Sequence, residues 1–241
     1  MLTAEAGPSF RRPAARPISS GRERRREPIV NNAGEMPLVT FEGVEGCGKS
    51  TQLAMAAARL RERGHLVVET REPGGTPVGE RLRAILMDPE QRSLDAVTEW
   101  LLLEADRCQH VRELLRPAVA SGAFVLCDRY SDATEAYQGA GRGLDPEIVR
   151  RVDELARDGL RADLTLLYDM DPERGLARAR QRDGRVGRFE GADLAFHRTV
   201  RAAYLDLARR EPERIVLVRS DGDPHAVFEQ TWKRLEQRFA P

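Results

Sequence analysis

The chain of 241 residues carries 39 Lys and Arg residues and 39 Asp and Glu residues, so its formal net charge at pH 7 is zero. A neutral chain has no global field that would draw it onto nucleic acid or an anionic membrane. Hydrophobic residues make up 41% of the chain, enough for a core, but no apolar run approaches the roughly 18 residues of a membrane span. Its 3 cysteines, an odd number, form no disulfide framework. We therefore expect a soluble protein of a reducing compartment, the cytoplasm.

Residues 1–35 differ in composition from the rest of the chain. Arginines are mixed there with Pro, Ser and Gly, without apolar periodicity. Such a stretch cannot bury enough surface to offset its ordering entropy, so it is predicted to be a disordered tail. A basic arm for nucleic acid, a transit peptide and upstream sequence translated from a wrong start, with Met36 as the true one, are the alternatives. A secretory signal is excluded because no apolar h-region is present. We favour a dispensable tail.

From Met36 onward, short apolar runs alternate with helical patterns. The strands are predicted at 38–41, 66–70, 124–127, 164–168 and 215–218, and the helices at 51–63, 78–87, 95–120, 146–158, 172–181, 194–210 and 226–239. Continuous apolar strands are typical of a parallel sheet buried on both faces. Pro146 and Pro172 each follow an Asp, the pattern of an N-cap and first helical residue. We predict one α/β domain over 36–241, with a five-stranded parallel sheet between two helical layers.

A glycine-rich segment lies between the first predicted strand and the first predicted helix. It reads GVEGCGKS at 43–50 and fits G-x-x-x-x-G-K-[ST], a loop whose amide groups cradle phosphates. Lys49 is one of two lysines in an arginine-rich chain, and its compact ammonium can reach a β- or γ-phosphate. Ser50 is predicted to place its hydroxyl on Mg²⁺. A turn with a chance lysine is the alternative, which the flanking strand and helix disfavour.

The other unusual segments also follow predicted strands. TREPGGT at 70–76 follows the second strand. DRY at 128–130, which leads to AYQG at 136–139, follows the third, and an arginine-rich stretch, 178–190, follows the helix after the fourth. Each segment, taken singly, also has an explanation without a ligand: 70–76 as a turn, 128–130 as an ion pair at a strand end, and 178–190 as a solvated face. Ligands of such sheets bind beyond the carboxyl ends of the strands. Together, the segments therefore predict a binding edge for anionic ligands.

These segments, with ADRCQH at 105–110 and RFE at 188–190, resemble the thymidylate kinase family of nucleoside monophosphate kinases over nearly all of 36–241. The resemblance implies a three-layer P-loop NTPase fold with a short lid. It also implies transfer of the γ-phosphate of ATP to dTMP, giving dTDP and ADP for dTTP biosynthesis, with Mg²⁺ as cofactor. The family commonly forms homodimers, whereas membrane and nucleic-acid partners are not expected.

The resemblance also implies roles for individual residues. For ATP it implies Gly43, Val44, Glu45, Gly46, Cys47, Gly48, Lys49, Ser50, Thr51, Arg182 and Arg188, and for Mg²⁺ it implies Ser50, Asp128 and Glu190. For dTMP it implies Arg71, Arg83 and Arg129 on the phosphate, with Pro73 nearby. Glu45 would accept from the sugar 3′-OH and Tyr137 would crowd the 2′ position. Arg107 would donate to a thymine carbonyl, with Thr134 and Gln138 along the base edge.

The family divides by the source of the arginine that stabilises the transition state. One type carries a basic residue inside the phosphate loop, and the other supplies it from a mobile lid. The relevant loop position here is Gly46, so the chain resembles the bacterial, lid-arginine type. The catalytic residues implied are Lys49 and Arg129, with Arg182 or Arg185 as the lid arginine.

Several positions depart from the family pattern on the base side. Leu103 stands where an aromatic residue usually stacks on thymine, a stack worth about 1–3 kcal/mol on single strands. Trp100, one turn away, is either a substitute or a core residue. Glu104 and Ala133 are also unexpected. These departures motivate an alternative acceptor such as dUMP.

Functions of other classes are less compatible with the sequence. A GTPase switch needs an Asn-Lys-x-Asp segment, but the only lysine besides Lys49 is Lys233. Nucleic-acid binding would rest on the arginine tail alone. A scaffold that binds without catalysing is disfavoured by the intact Lys49, Ser50, Asp128 and Arg129.

Overall fold

The computed structural model describes residues 37–91, 94–183, 188–189 and 191–239, with the side chains of residues 182 and 183 left out. Five parallel strands form one sheet in the order β2-β3-β1-β4-β5. The strands are β1 (Leu38–Glu42), β2 (Val67–Arg71), β3 (Phe124–Asp128), β4 (Leu164–Asp169) and β5 (Ile215–Arg219). The predicted five-stranded parallel sheet is confirmed. The predicted tail, 1–35, lies outside the described residues and stays a prediction.

Every strand ends one residue later than its apolar run predicts. The additional residues are polar, and they still pair with their neighbours: Arg71 pairs with Asp128, and Asp169 pairs with Arg219. Hydrophobicity marks the buried length of a strand, whereas the hydrogen-bonded ladder continues to the sheet edge. Two of the predicted site residues, Arg71 and Asp128, therefore form the last residue pair between β2 and β3.

Nine α-helices lie within the described residues. They are α1 (Lys49–Glu62), α2 (Pro77–Met87), α3 (Ala96–His110), α4 (Arg116–Ala120), α5 (Ser131–Thr134), α6 (Pro146–Arg157), α7 (Pro172–Asp183), α8 (Leu194–Arg210) and α9 (Pro224–Phe239). The long helix predicted at 95–120 is interrupted by a π-helical turn, Val111–Leu115. A second π-helical turn, Glu135–Gly141, continues α5. Neither α5 nor this turn was predicted from the sequence, because their small and glycine residues do not form the apolar stripe by which a helix is recognised.

The sheet is buried by helices on both faces. Val39 and Phe41 of β1 join one apolar cluster with residues of α1, α8 and α9. Leu38 and, from β3, Val125 join a second cluster with the Val111–Leu115 turn and α4. Because successive strand residues point to opposite faces, this division of β1 and β3 is what a two-faced sheet requires. None of the helices in the described ranges has the length and apolarity to cross a bilayer.

The predicted helix caps are also confirmed. Asp145 Oδ1 accepts from the backbone N–H of Glu147 at 2.8 Å and of Ile148 at 3.4 Å at the start of α6. Asp171 caps α7 in the same way. Each carboxylate satisfies amide groups that have no partner within the first turn of a helix.

We predict that Asp145→Ala lowers the free energy of unfolding by about 1 kcal/mol, because it removes the cap of α6. Urea denaturation measures the difference. Glu147→Ala is the control, since it removes an exposed carboxylate of the same turn together with its surface pair to Arg151 and should cost less than about 0.5 kcal/mol. Equal losses in the two variants would contradict a capping role.

Candidate active site

A cavity lies at the carboxyl ends of β1, β2 and β3. The predicted site residues that line it are Glu45, Gly46, Lys49, Ser50, Arg71, Pro73, Arg83, Arg107, Asp128, Arg129, Thr134, Tyr137 and Gln138. They come from segments that are far apart in the sequence. Among the remaining candidates, Gly43, Val44, Cys47, Gly48 and Thr51 support the loop from outside this lining. Arg185, Glu190 and the side chain of Arg182 lie outside the described residues.

The phosphate loop presents its lysine at the entrance of α1. The ammonium of Lys49 donates to the backbone carbonyls of Gly43 at 3.1 Å and Val44 at 3.0 Å. Gly48 caps α1 with φ +93, a left-handed conformation that glycine adopts without strain. The free amide groups of the first helical turn thus face the loop, which makes this end of α1 an anion-binding position.

Ser50 and Asp128 form the hydroxyl–carboxylate pair predicted for a metal. Ser50 Oγ donates to Asp128 Oδ2 at 2.6 Å. Both side chains offer the hard oxygen ligands that Mg²⁺ prefers, and Mg²⁺ in kinases takes its other ligands from phosphates and water. These two residues therefore fit the ion.

Four arginines line the same cavity, and two of them, Arg71 and Arg83, lie on the side of β2 and α2. Arg71 is the last residue of β2, and its Nη2 contacts both carboxylate oxygens of Glu80, at 3.1 and 3.0 Å. Arg83, on α2, donates from Nη1 to the carbonyl of Pro73 at 2.9 Å. Burial and the positive charge of Arg71 lower the pKa of Arg83. Such crowding of cations is relieved by an anion, so this side of the cavity is suited to a phosphate.

Arg129 is held in a left-handed backbone conformation, with φ 71, which costs a non-glycine residue about 1–2 kcal/mol. Two contacts from the end of β1 support it. The Arg129 N–H donates to the carbonyl of Phe41 at 3.1 Å, and the Tyr130 N–H donates to Glu42 Oε1 at 2.7 Å. Burial is the main reason that the pKa of Glu42 is raised, to about 8. The strained turn directs Arg129 into the cavity.

Glu45 joins the phosphate loop to the opposite wall of the cavity. Its Oε1 accepts from Arg129 Nη2 at 3.0 Å and from the Tyr137 hydroxyl at 2.6 Å. Its Oε2 lies 3.1 Å from His197 Nδ1, without hydrogen-bond alignment. Burial raises the pKa of Glu45, but the contact with His197 and the charges of Arg129 and Lys49 outweigh it and lower this pKa to about 2. His197 was not among the predicted site residues, because a buried histidine on α8 carries no local signal in the sequence.

The segment after β2 is anchored to α3 and is not a solvated turn. Glu72 Oε2 accepts from Arg107 Nε at 2.9 Å, and its Oε1 lies 2.9 Å from His110 Nδ1. The Gly74 N–H donates to Asp106 Oδ1 at 3.0 Å. The family-like pattern at 105–110 thus positions the segment that carries Arg71.

Arg107 is 3% exposed and sits among carboxylates. Its Nη1 lies within 3.0 Å of oxygens of Glu104, Thr134 and Asp153. Glu104 was unexpected beside a base pocket, and the structure turns it toward Arg107 and away from the cavity lining. Burial raises the pKa of Glu104 to about 7. The departure at this position is therefore a second support for Arg107.

The apolar side of the cavity includes Leu103 and Phe189. Trp100 is 5% exposed and does not belong to this lining, so of its two interpretations the core residue is correct. The ring of Phe189 lies 6.1 Å from that of Tyr137, edge to face. Phe189 supplies an aromatic wall that the sequence pattern around Leu103 did not predict, because it comes from a distant segment.

Arg188 contacts α3. Its Nη2 donates to Glu99 Oε2 at 2.5 Å, and its Nη1 donates to the carbonyl of Leu86 at 3.4 Å. The guanidinium also lies over the Phe189 ring, 5.3 Å from its centroid. The described contacts of Arg188 are thus on the apolar side of the cavity, although the resemblance assigned it to ATP.

A family model, related sequences and a solved structure all indicate the same family for this chain. The family model described as thymidylate kinase matches residues 41–230. The chain is 50% identical over 205 residues to the thymidylate kinase of Desulfosudis oleivorans, covering 83% of this chain and 96% of that protein. It is 53% identical over 180 residues to that of Pseudomonas putida, covering 75% and 85%. The crystal structure of thymidylate kinase from Ehrlichia chaffeensis has a TM-score of 0.70 at 29% identity and covers 83% of this chain and 98% of its own.

The chain belongs to the thymidylate kinase family. The members of this family are phosphotransferases that convert dTMP to dTDP with ATP as the phosphoryl donor.

The glycine at position 46 of the phosphate loop is required by steric contact with α7. A Cβ at Gly46, where φ is +70, would lie 1.9 Å from the carbonyl oxygen of Gly175 on α7. A Cβ at Gly175 would lie 2.3 Å from the carbonyl oxygen of Glu45. The phosphate loop and α7 are in backbone contact, so a side chain at position 46 does not fit unless one of them moves.

We predict that Gly46→Ala lowers kcat by about 100-fold or more and also lowers the free energy of unfolding, because its Cβ would displace the phosphate loop or α7. Kinetic assays and urea denaturation measure the two effects. Gly122→Ala is the matched control, since φ there is +84 and nothing lies within 4 Å of the added Cβ. It should cost about 1–2 kcal/mol for its backbone alone and leave kcat unchanged. A Gly46→Ala variant of full activity would contradict the close approach.

We predict that the stabilisation supplied by Glu45 depends on pH. Its folded pKa of about 2 lies below its ordinary value of 4.5, so its contribution is complete above pH about 4.5 and is lost as the pH falls through about 2. The difference in free energy of unfolding between the unchanged chain and Glu45→Gln should therefore shrink as the pH falls across this window. Denaturant titrations at several pH values measure it, and a constant difference would contradict the ionised contact network.

Proposed function

We propose that this chain catalyses in-line transfer of the ATP γ-phosphate to dTMP in a Mg²⁺-dependent reaction at the cavity beyond β1, β2 and β3. The observation that carries the proposal is the convergence of one ammonium, Lys49, and three guanidinium groups, those of Arg71, Arg83 and Arg129, on this cavity. Phosphoryl transfer needs positioning and charge neutralisation more than covalent help from the protein.

Lys49 and the phosphate loop hold the donor. The ammonium reaches the β- and γ-phosphates, and the amide groups at the start of α1 bind their oxygens. Ser50 and Asp128 hold Mg²⁺, with Glu190 as a further candidate. The ion, when bound, neutralises phosphate charge and orients the γ-phosphate.

Arg71, Arg83 and Arg129 hold the acceptor phosphate, a task for which bidentate arginine is suited. Glu45 accepts from the sugar 3′-OH. Tyr137 lies beside Glu45 and favours deoxyribose by crowding the 2′ position.

The base edge is read by Arg107, Thr134 and Gln138. Leu103 and Phe189 supply apolar contact to the ring. Phe189 supports thymine as the base, because it contributes an aromatic surface to a cavity in which Leu103 replaces the usual stacking residue. This reduces the motive for the dUMP alternative.

The transition-state arginine comes from Arg182 or Arg185. The crowding at Gly46 supports this choice, because a basic side chain cannot occupy that loop position without moving α7. Closure of an arginine-bearing segment over both substrates would also exclude water and suppress ATP hydrolysis.

We predict that Arg182→Ala or Arg185→Ala lowers kcat by a factor of about 10³ or more, in the range found for arginines that stabilise phosphoryl transfer. The Kd for dTMP should change little, because the arginine acts on the transferred group. Steady-state kinetics and calorimetric dTMP binding measure the two effects. Arg180→Ala is the control from the same stretch, with an exposed side chain. If neither variant loses turnover, the lid assignment is wrong.

Coupled detection of ADP release with ATP and dTMP, dUMP, dCMP or dGMP tests the function. The proposal expects dTMP to have the highest kcat/KM. A higher value for another acceptor would overturn it, and for dUMP would support the alternative. Omission of Mg²⁺, with a chelator present, should abolish turnover.

A homodimer in the cytoplasm is part of the same proposal. α3 packs against α6, and both carry exposed apolar side chains: Val97, Leu101, Ile148 and Leu155. Exposed apolar side chains on two packed helices fit contact with a second copy of the chain. Light scattering measures the oligomeric state, and a monomer at high concentration would overturn the proposed homodimer.

Deletion of residues 1–35 should leave activity and folding unchanged if the tail is dispensable.

A further inference from the structure

Glu99, on α3, is fully buried and has no role in the reaction described above. Its carboxylate nevertheless collects donors from two other segments. Oε1 accepts from Gln138 Nε2 at 3.0 Å and from Arg142 Nε at 3.2 Å. Oε2 accepts from Arg142 Nη2 at 3.0 Å and from Arg188 Nη2 at 2.5 Å. The cavity-lining Gln138 is thus fixed from behind by a charged group.

The contact with Glu99 decides how the Gln138 amide is oriented. An amide has a donor end and an acceptor end of similar shape, and either could face a ligand. A carboxylate can only accept, so the amide nitrogen of Gln138 must face Glu99. With one N–H of the amide donated to Glu99, the amide oxygen is the acceptor that Gln138 offers to a ligand in the cavity.

An acceptor at this position discriminates between pyrimidine bases. Thymine and uracil carry a hydrogen on N3 and can donate to the amide oxygen. Cytosine has a lone pair on N3, so its base edge would set one acceptor against another. An unpaired or repelled polar group inside a closed site is costly, which makes this a strong basis for selection.

We propose that Glu99 is a positioning residue that sets base selectivity by holding the Gln138 amide with its oxygen toward the base. The inference rests on the proposed function, because it concerns which nucleoside monophosphate the same cavity accepts. Glu99 acts through Gln138 and does not itself touch the substrate.

Arg142 and Arg188 both bind the Glu99 carboxylate, so its position is fixed by two guanidinium groups as well as by Gln138. Arg142 closes the π-helical turn that carries Gln138, and Arg188 precedes the cavity-lining Phe189. The carboxylate of Glu99 therefore positions both Gln138 and, through Arg188, the segment that carries Phe189.

Glu99→Gln tests the proposal, because it replaces an acceptor-only group by one that also donates. The measurement is kcat/KM for dTMP, dUMP and dCMP with the full-length chain and ATP. We expect the dTMP:dCMP ratio to fall by at least about tenfold, the equivalent of one displaced hydrogen bond. The dTMP:dUMP ratio should stay unchanged, since both bases carry the N3 hydrogen.

A double-variant cycle separates positioning from general support. Gln138→Ala should lower the dTMP:dCMP ratio by itself, and adding Glu99→Gln should lower it no further, because Glu99 acts through the amide. Asp132→Asn is the matched control. Asp132 is likewise a buried carboxylate held by an arginine, Arg214, with two contacts of 2.7 Å, and it lies outside the cavity lining. It should lower stability and leave the ratio unchanged.

An unchanged dTMP:dCMP ratio in folded Glu99→Gln would overturn the inference, as would an equal fall in Asp132→Asn. If Glu99→Gln does not fold, Arg142→Gln replaces it, since it loosens Glu99 without removing the carboxylate. A ratio that falls supports the proposal, and an unchanged ratio overturns it. An unchanged chain that fails to phosphorylate dTMP would instead overturn the proposed function, so the two failures are distinguishable.

Discussion

Electrostatic repulsion between two nucleotides is the constraint on which the rest of the site depends. Two unit charges 4 Å apart interact by about 4 kcal/mol at the effective dielectric of a protein surface, and phosphoryl transfer requires such an approach. At the carboxyl edge of the sheet, this repulsion is offset by the positive charges of four side chains around one cavity: Lys49, Arg71, Arg83 and Arg129. Because these cations repel each other as well, the fold must hold them in place before any phosphate arrives.

Backbone carbonyls hold Lys49 and Arg83, whereas carboxylates hold the other arginines of the cavity. Glu80 contacts Arg71, Glu45 contacts Arg129, and Glu72 contacts Arg107. The pairs differ in burial: the first is half exposed, whereas Arg107 and Glu72 are almost entirely buried. An exposed pair can be exchanged for a ligand at small cost, but breaking a buried pair leaves an uncompensated charge. Arg71 can therefore leave Glu80 for an anionic ligand at small cost, whereas the pair of Arg107 and Glu72 is a fixed part of the site.

Local patterns in the sequence predicted the sheet, the phosphate loop and most of the cavity wall. Apolar runs located every strand, and the charged residues just beyond them, Arg71 and Asp128 among them, are where parallel strands bring chemistry together. Buried polar partners were not predictable in this way. His197, Glu99 and Glu104 take their roles from contacts with residues distant in the chain, and a single sequence carries no local signal for such pairs. Phe189 was missed for the same reason.

The backbone contact between Gly46 and Gly175 has an evolutionary consequence. A basic side chain at position 46 would meet α7, and a side chain at position 175 would meet the loop, so neither position can change first without harm. A larger residue at either position would therefore need a shift of the whole helix and not a single replacement. This offers a physical reason for descendants of such a protein to inherit both glycines unchanged while the remaining surface diverges.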